Sequence, residues 1–137
     1  MTSAVPTILT FPDERLTQEQ RVEKWAAQLC RALDENYVEY HKRSEFSTRI
    51  DNPLQFKLRS GRKYWKVVQT EYDTFQDRNE YRDSCVHAFI DKKTGEVYKP
   101  AGWAKPAQHV RYDLRIIRER EDCLAKADWA GGYLYMR

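Results

Sequence analysis

Residues 54–72, LQFKLRSGRKYWKVVQTEY, decide the fold. Leu54, Phe56 and Leu58 alternate with Gln55, Lys57 and Arg59, a period of two that places apolar side chains on one face of an extended chain. Ser60-Gly61 breaks the run, and residues 63–72 resume with aromatic and β-branched types, so the stretch predicts an antiparallel hairpin. A second hairpin is expected from Cys85–Asp91, the turn Lys92-Lys93-Thr94-Gly95, and Glu96–Lys99, with Gly95 where the backbone turns left-handed. The polar, acidic residues 73–84 between the hairpins predict a loop.

Upstream, Thr17 and Gln20 form a capping box, and Val22, Trp25, Ala26, Leu29, Cys30, Leu33, Tyr37 and Tyr40 recur at helical spacing, predicting an amphipathic helix over about residues 18–43. Downstream, Lys99–Ala107 holds Pro100, Trp103 and Pro106. Proline denies this stretch a central strand, so it predicts an ordered loop. Residues 109–113 predict a short strand. Ile116, Ile117, Arg120, Cys123, Leu124 and Ala127 predict a second helical face, with Asp113 as its cap and Gly131-Gly132 as its end. The tail, residues 133–137, alternates and predicts an edge strand. The whole reads as an α+β fold: an antiparallel sheet of four or five strands with two helices on one face. It forms a single domain over 1–137, with residues 1–12 as an extended arm.

Length and charge narrow the function classes. At 137 residues, the chain has room for one core but not for a two-domain catalytic cleft. No apolar run reaches the roughly 20 residues that span a bilayer, and the first twelve residues lack the pattern of a signal peptide. This points to a cytoplasmic protein with no membrane partner. Cys30, Cys85 and Cys123 are widely spaced and predict reduced, mostly buried thiols rather than a disulfide framework. His41, His87 and His109 lack metal-ligand spacing, so neither a metal nor a cofactor is expected.

The formal charge of +3 conceals an uneven distribution. Lys57–Lys66 contains five basic residues and no acid, and Lys99–Arg111 contains three plus His109, again without an acid; residues 71–83 hold five acids against two arginines. Both basic stretches carry or adjoin aromatics: Tyr64 and Trp65, then Tyr98 and Trp103. Cations neutralise phosphates, aromatic faces stack on bases, and arginine adds a planar fork for bidentate contact. The candidate phosphate ligands are therefore Arg59, Arg62, Lys66, Arg111 and Arg115, and the candidate base-stacking residues are Trp65, Tyr98 and Trp103. The competing reading is that the tryptophans fill the core and the cations form a solvated face. No Gly-rich phosphate loop or other named nucleotide motif is present.

Catalysis is the weaker possibility. Cys85, His87 and Asp91 share one strand face in a regular strand, the ingredients of an activated nucleophile, but three common residue types suffice to produce that pattern. Glu119 with Asp122, and Glu121 with Asp122, lie on a solvated helix face where nothing would shift a pKa. A non-enzymatic protein is expected.

Residues 86–112, VHAFIDKKTGEVYKPAGWAKPAQHVRY, together with 127–137, ADWAGGYLYMR, resemble small accessory proteins that recur in tailed-bacteriophage genomes. The resemblance implies an anti-defence or replication-helper context inside an infected bacterial host. By analogy with the anti-Thoeris sponges, which sequester cyclic ADP-ribose signals, the leading expectation is binding and sequestration of a small phosphorylated nucleotide by a homo-oligomer. The alternatives are a single-stranded nucleic-acid binder using the same residues as an open track and a protein-binding inhibitor of a host enzyme.

Overall fold

The structure, a computed structural model, describes residues 15–43 and 52–135; the arm expected at residues 1–12 lies outside them. The capping box forms as read. Thr17 donates its backbone N–H to Gln20 Oε1 at 2.9 Å, and Gln20 returns its own to Thr17 Oγ1 at 3.1 Å, which satisfies two donors at the helix N-terminus reciprocally. Helix α1 then runs Gln18–Arg43 and buries Val22, Ala26, Leu29, Cys30 and Leu33. Tyr40, expected on that face, is instead exposed. It packs edge-on against Trp129 with ring centroids 5.7 Å apart.

Five strands follow: β1 (Gln55–Ser60), β2 (Tyr64–Asp73), β3 (Glu80–Asp91), β4 (Glu96–Tyr98) and β5 (Tyr112–Asp113). They pair antiparallel in chain order, β1-β2-β3-β4-β5. Helix α2 (Ile117–Lys126) joins α1, where Arg120 lies 4.5 Å above the Trp25 ring and donates to the Leu114 carbonyl at 2.8 Å. The α+β architecture with a five-stranded antiparallel sheet is thus the fold.

The sheet has two unlike faces. On the inner face Phe56, Val67, Ala88, Ile90, Val97 and Tyr112 join the helical residues in one core. On the outer face Val68, Val86 and Phe89 are also buried but belong to a separate group, since each alternates with an inner-face neighbour. Register shifts in the β2–β3 pairing leave His87 between the Val67↔Ala88 and Val68↔Val86 pairs. This bulge turns His87 inward, where its ring meets Phe56 at 5.2 Å and Tyr133 at 5.6 Å.

Several local expectations are corrected. The loop expected over 73–84 shrinks, because β2 continues to Asp73 and β3 starts at Glu80. Charged residues extend the ladder there by pairing: Arg59 with Asp83 at 2.8 Å and Arg82 with Asp73 at 3.6 Å, around a Tyr72–Tyr81 edge contact at 5.2 Å. Ile116 and Ile117 are exposed rather than packed, and Ile116, not Asp113, takes the cap position of α2. Asp113 instead accepts the Arg115 backbone N–H at 2.9 Å. The helix ends at Lys126 with Ala127 at its cap. Gly131, with φ of 86°, begins a 3-10 turn at Gly132–Leu134 where an edge strand was expected; Met136 and Arg137 lie outside the described residues.

Candidate functional site

The loop at 99–107 is built to hold one side chain out. Pro100 and Pro106 form a bridge across it, Ala107 donates its N–H to the Lys99 carbonyl at 2.7 Å, and Ala101 and Gly102 donate to the Lys105 carbonyl at 2.9 and 3.1 Å. Trp103 stands at its tip with 51% of its surface exposed. The loop lies over the outer sheet face, because the Lys66 ammonium lies 5.4 Å from the Trp103 ring and 5.9 Å from the Phe89 ring. Lys66, Phe89 and Tyr98 form one cross-strand row over β2, β3 and β4. Tyr64 closes the group, with ring centroids 5.7 Å from Phe89 and 6.0 Å from Tyr98. At the root of the loop Lys99 lies 5.0 Å above the exposed Tyr135 ring, and the exposed Lys105 stands beside it in the loop.

Three of the eight residues expected at the site therefore come together: Lys66, Tyr98 and Trp103. Tyr98 is only half-buried, and its hydroxyl donates to Glu96 Oε1 at 3.2 Å. Burial, with the Glu96 carboxylate beside it, pushes that phenol up to about 12. Trp65 faces the other way. It pairs with Ile90 on the inner face, packs against the main core and carries the Lys92 ammonium 4.7 Å from its ring, so it serves packing.

The arginines have separate duties. Arg59 holds Asp83 through Nε at 3.2 Å and Nη2 at 2.8 Å, and that hydrogen-bonded carboxylate raises its guanidinium pKa further. Arg115 grips Asp113 through Nε at 3.0 Å and Nη2 at 2.7 Å, which holds the Asp113 carboxyl below the usual range. Arg111 donates to the carbonyls of Leu134 at 2.6 Å, Gln108 at 2.8 Å and His109 at 2.6 Å. It thereby clamps the left-handed His109, φ of 76°, to the C-terminal turn. A fork already filled by internal oxygens is a poor phosphate ligand. Arg62 stands apart at the β1–β2 turn.

Sequence reasoning missed three cations that the fold gathers around Arg62. In an antiparallel meander the first and third turns lie at the same end, so residues 61–63 and 92–95 meet, bringing Lys63, Lys92 and Lys93 to Arg62 around a cleft of about 340 Å³. The signal was present, since both turns are basic; reading it required the strand order.

The nucleophile pattern does not assemble. Cys85 is the exposed member of a mostly buried set, and partial desolvation with the Glu71 carboxylate beside it pushes its thiol up rather than activating it. Cys30 and Cys123 are buried, and their thiols are pushed up to about 12. Asp91 spends its carboxylate on the turn, accepting from the backbone N–H groups of Lys93 and Thr94 at 2.8 and 3.0 Å. Among the described residues no group of three or more His, Cys, Asp or Glu is placed to hold a metal ion, and no helix is long and apolar enough to cross a membrane.

No curated protein and no solved structure matches the chain. A family model does, over residues 9–136, a span that takes in both hairpins, the Trp103 loop and both helices. The chain therefore belongs to the Family of unknown function (DUF7717).

Proposed function

We propose that the protein binds single-stranded nucleic acid across the outer face of its sheet, with Trp103 as the stacking platform and Lys66, Lys99 and Lys105 against the phosphates. The observation that supports this reading is Trp103 itself. A large aromatic ring is half exposed on a loop stiffened by two prolines and three backbone hydrogen bonds, so binding a base orders little that is not already ordered. Lysines flank it at both the sheet and the loop root. Sequestration of a small nucleotide asks for more: of the five cations it would use, Arg59, Arg111 and Arg115 are engaged internally. An open track is the better fit.

The test is fluorescence anisotropy with a labelled oligothymidylate strand, run beside mononucleotides and cyclic nucleotides. The strand is expected to bind at low salt, and Trp103→Ala to weaken it by roughly 5- to 150-fold, the equivalent of about 1–3 kcal/mol of stacking. Because the Trp103 side chain is half exposed, thermal unfolding of that variant should stay close to the parent. Unchanged affinity in Trp103→Ala, or no strand binding at all, would sink the proposal. A single nucleotide binding as tightly as the strand would favour sequestration.

A further inference from the structure

The turns of the two hairpins are locked together more firmly than strand pairing requires. The Lys92 backbone N–H donates to the Lys63 carbonyl at 3.0 Å, and the Lys92 ammonium reaches back to Ser60 Oγ at 2.5 Å and the Gly61 carbonyl at 2.6 Å. Asp91 pins its own turn from below through the Lys93 and Thr94 amides. The result is a braced cleft of about 340 Å³ lined by Arg62, Lys63, Lys92 and Lys93 together with Asp91 and Glu19. Arg62 and Lys93 are exposed, and neither side chain has a hydrogen-bond or ion-pair partner among the described residues. Four cations and two carboxylates line this space; with Lys92 engaged by Ser60 and Gly61 and Asp91 by backbone amides, Arg62, Lys63 and Lys93 stand against Glu19.

We infer that this cleft is a second binding site, separate from the Trp103 surface, and that it takes a phosphate monoester. The charge fits a compact dianion: a monoester carries close to two negative charges at neutral pH, whereas each bridging phosphate of a strand carries one. The volume sits at the lower end of the range on the order of 300–1,000 Å³ typical of ligand sites, room for a phosphate with a small organic group rather than for an extended chain. Arg62 supplies the planar fork and Lys63 and Lys93 supply point charges, while Lys92 braces the turn. Glu19, on the first turn of α1, limits how much negative charge the site tolerates. Such a phosphate arrives either on a free small molecule or at the end of a nucleic-acid strand.

The experiment is an amide chemical-shift titration of the whole protein with inorganic phosphate, repeated with glycerol phosphate and with 5′-phosphorylated and 5′-hydroxyl strands. Saturable shifts are expected at residues 61–64 and 91–95. Arg62→Ala with Lys93→Ala should weaken phosphate at least tenfold, and Glu19→Gln should tighten it. Trp103→Ala should leave phosphate binding unchanged, so this site and the strand surface can fail independently. Preference for the 5′-phosphorylated strand over the 5′-hydroxyl strand assigns the cleft to strand ends; preference for glycerol phosphate over that strand assigns it to small molecules. Non-saturating shifts scattered over the lysines, or a double variant that binds as the parent does, would overturn the site.

Discussion

His87 shows how one side chain couples the fold to pH. The bulge in β3 turns it inward, where Nε2 and the Tyr133 hydroxyl are hydrogen-bonded at 2.8 Å. Burial pushes its imidazole down to about 4, only partly offset by Asp128, while burial holds the Tyr133 phenol well above its usual value. An unfolded histidine takes its proton near 6.5, so between about pH 6.5 and 4 the unfolded chain binds more protons than the folded one. Stability is therefore full above pH 6.5 and falls as the pH drops through that window, by up to about 3 kcal/mol. Denaturant midpoints measured across the window should fall for the parent and fall less steeply for His87→Gln. An identical slope in both would remove His87 as the titrating group. Periodicity placed His87 on the same strand face as Asp91 and opposite Ala88, whereas the bulge puts it on the inner face beside Ala88. A bulge is invisible to periodicity, because it arises from the register of the partner strand.

At the scale of elements, the clearest readings were those in which local chemistry and burial agree. The capping box, α1 and both hairpin turns formed where the residues placed them. Gly95 is the sharpest case: its φ is 80°, and a Cβ there would meet Leu114 Cβ at 3.4 Å and Val22 Cγ2 at 3.5 Å. Gly95→Ala should cost about 1–2 kcal/mol from the left-handed backbone alone, read as a lower denaturant midpoint with an unchanged slope. A variant as stable as the parent would mean that the turn relaxes into another form. The start of β3 was missed because Glu80, Arg82 and Asp83 look like loop residues. Length was the available clue: a ten-residue β2 needs a partner longer than Cys85–Asp91.

For the whole molecule, what matters is which charges the fold leaves free. Arg59, Arg111 and Arg115 spend theirs on stability, while Lys66, Lys99 and Lys105 remain around Trp103. If three lysines meet phosphates, log affinity for a single strand should fall with log salt at a slope of roughly −2, about −0.7 for each contact. A slope near zero would exclude the phosphate contacts. Arg111→Ala should lower thermal stability, since three carbonyls lose their donor, and should leave strand affinity near the parent value. The sequence by itself determined the α+β class, the long helix, the two hairpins and the clustering of cations with aromatics, because turn chemistry and burial periodicity are local properties. Only the tertiary structure decided which cations are free, that Trp65 faces inward and Trp103 outward, and that two basic turns share a cleft, because each depends on strand order and on partners distant in the chain.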